Sequence, residues 1–398
     1  MKKLILLLCA LFLFCPSITV KSVAIAEQSA YSQSESDIEE NLNEETESQL
    51  DDLDFSSLDE ILKNLSSSQL SIFGEKSFIE KVRALLSGEY QDGTGLWQAI
   101  INVFLESLLS LMPIVALIVG ISVLASMIQG LKPTGGKSIG NLIHFVTYGV
   151  IVVVVLTIVV RMVSLTTNTI TNLKSQMDCI FPILLTLLTA IGGEVSVAVY
   201  QPAMALLSSV ILNFFTYILM PLFVFSVVIN VISNLSNTVK LDKLASCFNS
   251  TFKWIIGFVF TIFTAFLSIQ GITAGAVDGI SIRTAKFAIR SYVPILGSYL
   301  SDGMGLILTS SNLIKNTVGG AGLFLLLATV LSPLIELVLF MLVLKFASGI
   351  IEPLGNKQVA NFISSLSKSM VLLVVIIIGV SFVYFIMLGL VMCSANIF

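Results

Sequence analysis

Three prolines set the pattern that this chain must fold around. Pro113, Pro221 and Pro333 each lie inside a long apolar run, in the settings Leu111-Met112-Pro113-Ile114, Leu219-Met220-Pro221-Leu222 and Leu331-Ser332-Pro333-Leu334. Each run ends in a short polar stretch with lysines, and a second apolar run follows. The three units are Ile100–Val163, Leu206–Ala276 and Ala321–Cys393. A second landmark repeats in step. Phe181-Pro182-Ile183-Leu184 returns as Val293-Pro294-Ile295-Leu296, 112 residues later, the same spacing that separates Pro221 from Pro333 and Lys174 from Lys286. Internal repeats in an apolar chain point to transporter or channel-like architecture. A proline inside a helix frees a carbonyl one turn back and kinks the rod, so each of the three should mark a kink.

The apolar runs are about 20 residues long, enough to cross a hydrocarbon core of roughly 30 Å. With 56% hydrophobic residues and 12% charged, the chain has too little polar surface for a soluble protein. The net charge of −4 hides a segregation. Residues 27–60 hold 13 acids and no lysine or arginine, while 14 basic and 8 acidic residues lie from Leu96 onward. That basic surplus reads as membrane topology. No basic stretch is interleaved with aromatics, which argues against a nucleic-acid partner.

Met1–Ala26 has the form of a secretory signal: Lys2 and Lys3, the apolar Leu4–Phe14, then Ala24-Ile25-Ala26 as a cleavage site. Residues 27–56 are acidic and serine-rich and are expected to form a disordered tether. Residues 57–95 should form an exported helical region. Ser57 with Glu60 and Ser77 with Glu80 are spaced as capping boxes, and Leu58, Ile61, Leu62 and Leu65 share a helical face, as do Phe78, Ile79, Val82, Leu85 and Leu86. This region is too short to bury a full core, so it should rest on the membrane domain or on a partner.

Residues 96–398 form the membrane domain. The polar stretches inside the three units each carry two more basic than acidic residues: Lys132 and Lys137; Lys240, Lys243 and Lys253 against Asp242; Lys345, Lys357 and Lys368 against Glu352. Equal basic loops should all be cytoplasmic, at 132–138, 238–253 and 349–368, which gives six full crossings. Between the units lie two connectors. Ile180–Ala190, Gly192-Gly193-Glu194 and Val195–Tyr200 make the first, and Tyr292–Leu300, Ser301-Asp302-Gly303 and Met304–Thr309 the second. Neither apolar half can span a bilayer, so each connector is expected to be a re-entrant or an interfacial segment. The fold class is an all-α polytopic membrane protein. Three similar proline-kinked helical hairpins are joined by these two short segments and preceded by the exported helices.

Several residues stand out as sites. Glu336 lies one turn after Pro333 in an apolar run, where the other units have Ala116 and Val224. An ionised carboxylate there must face water or a partner group. It is either a pathway-lining acid or one bonded to a neighbouring helix. Glu194 and Asp302, at the connector tips, would line the same pathway if the tips are re-entrant. Arg283, Lys286 and Arg290 share one helical face and would contact anionic lipid or a partner. Gly130–Ser138 looks like a phosphate loop, but Leu131 stands where the first glycine is needed and no strand precedes it. His144 is the sole histidine, and Cys179, Cys247 and Cys393 are scattered, so no metal cluster, nucleophile–base pair or cofactor site is indicated.

The signal, the acidic exported segment, Leu85-Leu86-Ser87-Gly88-Glu89 and, most specifically, Lys286-Phe287, Tyr292-Val293-Pro294-Ile295-Leu296-Gly297 and Ser301-Asp302-Gly303 resemble the stage III sporulation protein AE family of endospore-forming bacteria. The resemblance implies a non-enzymatic subunit in the mother-cell membrane around the forespore. It implies a channel-like complex with the other stage III proteins, AA to AH, and the forespore protein Q, needed for late forespore gene expression. The other readings are a free-standing secondary transporter, for which repeats and broken helices suffice, and an intramembrane enzyme, which lacks its chemical groups.

Overall fold

The structure is a computed structural model. It describes residues 32–74, 76–88, 93–130, 137–206, 209–210, 212–235, 241, 243–263, 265–266, 284, 297–354 and 357–394. The chain divides into two compact units, Met1–Glu44 and Glu45–Phe398. All regular structure among the described residues is helical.

The acidic segment expected to be disordered contains a helix, α1, Ser32–Asp51. Its acids alternate with Ser, Asn and Gln, and Gln49 donates to Glu45 one turn back at 2.8 Å, the kind of pair that supports an exposed helix. Three short helices follow: α2 (Ser56–Lys63), α3 (Ser67–Phe73) and α4 (Phe78–Leu86). The Ser77–Glu80 capping box forms as expected, with both reciprocal bonds. The Ser57–Glu60 box does not. Helix α2 starts two residues earlier, with no side-chain cap at Phe55, and the Asp54 carboxylate accepts the Ser56 N–H at 2.9 Å instead. A box that the sequence reading missed, Ser66 with Gln69, opens α3. Leu58, Leu62, Leu65, Ile72, Phe73, Phe78 and Val82 are buried. These short helices pack on the long membrane helices rather than on a core of their own.

The long helices are α5 (Gly93–Gly130), α6 (Lys137–Ala190), α7 (Glu194–Leu206), α8 (Met220–Leu235), α9 (Lys243–Phe263), α10 (Gly297–Ile351) and α11 (Lys357–Cys393). Six helices are long and apolar enough to cross a membrane, within Gly95–Leu124, Phe145–Ala190, Phe215–Asn234, Lys243–Phe263, Gly303–Leu354 and Lys357–Cys393. Two fall in each proline-marked unit. Helix α11 is the centre, packed on α10, α6 and α8, and none of its residues between Lys368 and Cys393 is exposed. A helix apolar on every side belongs in a core, and the run Val371–Ile378 is apolar throughout.

The two connectors differ from expectation. Ile180–Ala190 is the last part of α6, a single helix of 54 residues. Ser301-Asp302-Gly303 and Met304–Thr309 lie inside α10, of 55 residues. Residues 292–296 lie outside the described residues. Gly303 makes no turn because one helical glycine costs only about 1 kcal/mol, which packing along a long helix offsets. Only Gly192-Gly193 reverses the chain, and it does so at the end of a continuous rod, not between two half-helices. The lysine-rich stretches are also shorter than expected. Lys253 lies within α9, Lys345 within α10 and Lys368 within α11.

Candidate functional site

The three prolines meet different fates. Pro113 is exposed on α5. Pro221 follows a π-helical turn, Phe215–Leu219, whose closing bond runs from the Met220 N–H to the Phe215 carbonyl. Pro333 is buried in α10. Having no N–H, it leaves the Thr329 carbonyl without its helical partner. Gln69 of α3 fills that vacancy, its Nε2 donating to Thr329 O at 3.0 Å. The same amide accepts the Ser66 N–H through Oε1 at 3.0 Å. One side chain therefore caps α3 with its oxygen and repairs α10 with its nitrogen. From α6, Gln176 Nε2 donates to Thr329 Oγ1 at 2.6 Å. Both glutamines are buried, Gln176 completely. Neither was singled out by the sequence. The signal was available, because any buried proline implies an orphan carbonyl four residues earlier.

Glu336 lies one turn below Pro333 and is bonded to a neighbouring helix. Arg161 Nη2 of α6 donates to Glu336 Oε1 at 2.7 Å. The carboxylate side chain is 15% exposed and the arginine 57%. Arg161 was also missed. It marks a change along α6. Above the pair the exposed residues are Ser164, Asn168, Thr171, Ser175 and Asp178, then Pro182, Thr186, Thr189 and Ala190; below it they include Val146, Val150, Val153 and Val160. The far end of α10 is tied to α5 by Ser126, whose hydroxyl donates to Leu354 O at 2.7 Å. From Leu354 to Glu336 is about 27 Å of helix rise, close to one hydrocarbon thickness. The part of α6 beyond Arg161 adds roughly 40 Å more.

At the far end of α6, Gly193 N–H bonds Leu188 O at 2.9 Å and Gly192 N–H bonds Thr189 O at 2.9 Å. This is the Schellman pattern, and Gly192 has the positive φ of 79° that it requires. A Cβ on Gly193 would lie 2.9 Å from the Leu188 carbonyl oxygen. Glu194 then opens α7 as an exposed first-turn acid, favourable at a helix N-terminus. Beside this turn, α6 and α7 bound an open groove of about 690 Å³, lined by Asp178, Pro182, Thr186, Gln201 and Met204 among others. Asp302 is helical, in the first turns of α10. Arg283, Lys286 and Arg290 lie outside the described residues. Among the described candidates, Glu336 and Asp302 are not brought together, since they stand about 50 Å apart along α10.

A further buried polar group sits at the C-terminal end of α11. Lys315 of α10 is fully buried, and its ammonium donates to Ser394 O at 2.5 Å. The Ser394 hydroxyl lies 2.9 Å from Tyr200 OH of α7. Among the described residues, no group of three or more His, Cys, Asp or Glu could hold a metal ion.

The profile of a sporulation protein family, Stage III sporulation protein AE, matches residues 77–395. The chain belongs to the stage III sporulation protein AE family. It is also 28% identical over 261 residues to the Stage III sporulation protein AE of Bacillus subtilis (strain 168), a match that covers 66% of this chain and 65% of that relative. No solved structure matches. The stage III AE match starts among the short N-terminal helices and runs through all six candidate spans. The chain is thus a multi-pass member of a family of sporulation membrane proteins, and that family is not one of known enzymes.

Proposed function

We propose that the chain is a non-enzymatic subunit of a channel-like, secretion-like complex between mother cell and forespore, required for late forespore gene expression. It sits in the mother-cell membrane around the forespore, with the N-terminal region outside the cytoplasm after removal of Met1–Ala26. Its partners are the other stage III proteins, AA to AH, and the forespore protein Q. The observation that carries the reading is the family match across the membrane domain, residues 77–395. The geometry supports it. Helices α6 and α10 are each more than twice as long as a hydrocarbon core is thick, and in this reading the outer boundary of the membrane lies near the face change at Arg161. The distal halves then stand in the space facing the forespore, with α2–α4 packed against them.

In this reading Glu336 holds α6 to α10 together with Arg161, while Glu194 and Asp302 stand at the outer end of the path. Arg283, Lys286 and Arg290 contact anionic lipid or a partner subunit. The test is purification from sporulating cells. Other stage III proteins should accompany the chain. A protein that purifies alone and moves solute across liposomes is a stand-alone transporter instead.

A further inference from the structure

Two membrane helices carry lysines at depths where lipid does not tolerate them. In α9, Lys243, Ser246, Ser250, Lys253, Gly257 and Thr261 are all exposed and follow one another at three- and four-residue steps, so they form one stripe. Trp254, Phe258 and Ile262, exposed apolar residues one position further on, lie about 100° round the helix from Lys253, Gly257 and Thr261. In α11, Lys357, Asn361 and Lys368 are exposed at the same kind of spacing, with Ser364 and Ser365 partly so. The two stripes are alike in residue type and spacing. Asn361, Ser365 and Lys368 stand 115 residues after Ser246, Ser250 and Lys253. Lys253 is about 15 Å of helix rise from Lys243, and Lys368 about 16 Å from Lys357, each roughly half the hydrocarbon thickness.

An ionisable group at that depth faces protein or water, not lipid. The ring contacts say which. Phe260 of α9 meets Phe382 of α11 with centroids 6.3 Å apart, and a Cβ on Gly379 would lie 2.5 Å from Phe260 Cζ. Phe260 is seven residues beyond Lys253, and Phe382 fourteen beyond Lys368, so each ring shares its lysine's helical face. The faces that touch at the rings are the faces that carry the lysines lower down. Phe215 joins the closure, 6.3 Å from Phe260. Among the described residues, the ion pairs are those of Arg83 and of Arg161, and none includes Lys243, Lys253, Lys357 or Lys368.

We propose that α9 and α11 enclose a water-filled crevice, open at the Lys243 and Lys357 ends and closed by Phe260 and Phe382, that binds a phosphate-class anion. Four ammonium groups attract the charge, and the Ser and Asn side chains between them supply neutral hydrogen bonds. Nothing in this assignment depends on partner subunits, so it stands or falls apart from the channel reading.

The test uses the full chain in vesicles, with all five native cysteines replaced by serine. Ser250→Cys, Ser365→Cys and Trp254→Cys are added singly. Modification rates are compared for an anionic and a cationic methanethiosulfonate of similar size. The crevice cysteines should react about ten-fold faster with the anionic reagent. Lys253→Gln with Lys368→Gln should erase that preference while the protein still elutes as the parent does. Protection by dissolved phosphate in phosphatidylcholine vesicles identifies a free anion as occupant. Protection only when phosphatidylglycerol is present identifies a lipid headgroup. Silent cysteines at both crevice positions, equal rates for the two reagents, equal behaviour at Trp254→Cys, or no protection by either phosphate source would overturn the assignment.

Discussion

Removing Arg161 should destabilise the bundle more than neutralising Glu336. The asymmetry comes from burial. Arg161→Ala leaves the Glu336 carboxylate, only 15% exposed, without its cation. Stranding a fully buried charge costs about 3–5 kcal/mol; with this residual exposure about 2–3 kcal/mol is expected. Glu336→Gln leaves an arginine that is 57% exposed and can turn to water or headgroups, and the loss should be about 1 kcal/mol, as for partly exposed pairs. The double variant should then lose less than the two singles added together, because the second change removes the group that the first left stranded. Unfolding by SDS in mixed micelles, followed by circular dichroism, measures all three against the parent. A Glu336→Gln loss equal to or above that of Arg161→Ala would refute the burial argument. A coupling below about 0.5 kcal/mol would mean that the pair does not act as one.

Gln69→Leu should leave the Thr329 carbonyl unpaired and cost about 1–3 kcal/mol, read as faster proteolysis of α2–α4 while the membrane helices stay intact. Gly192→Ala forces a side chain into the left-handed region and should cost roughly 1–2 kcal/mol, visible as a lower unfolding midpoint; an unchanged midpoint would count against the Schellman turn. Lys81 is buried over the faces of Phe73 and Phe324, at 5.6 and 4.8 Å, and burial, with a smaller push from Lys76, lowers its pKa from 10.5. The folded state then holds this proton less tightly than the unfolded one, so α2–α4 should gain stability as pH rises from the depressed value toward 10.5. Lys81→Met should flatten that slope in proteolysis across the alkaline range.

Much of the fold could be read from periodicity and length. The six apolar runs, their pairing around three prolines and the Ser77 cap are local properties, and local properties survive into structure. What could not be read was how far each helix continues. The run after Val163 changes to Thr, Asn and Ser, which resembles a loop in composition, yet it packs on α10 and keeps burying a helical face, with Thr166, Leu173, Ile180 and Leu187 among the buried residues. That pattern is tertiary, and a glycine such as Gly303 carries no label saying whether it turns or stays helical. Site reasoning failed similarly. Glu336 was visible as an acid in an apolar run, but its partner Arg161 is 175 residues away in sequence. Gln69 and Gln176 looked like ordinary surface glutamines until Pro333 gave them a carbonyl to serve. The lysines were assigned to loops because lysines usually mark loop sides, and that rule hid their depth.

The length of α6 and α10 has a mechanical consequence. A straight helix of 55 residues is a strut of about 80 Å. Pivoted at one end, it moves its far tip by about 7 Å for a tilt of about 5°. The two struts are riveted at two heights, by Arg161 to Glu336 and by Gln176 to Thr329, so they swing as one beam rather than sliding past each other. A displacement too small to disturb packing near Leu354 thus arrives at the Gly192-Gly193 corner several times larger, beside the groove along α7.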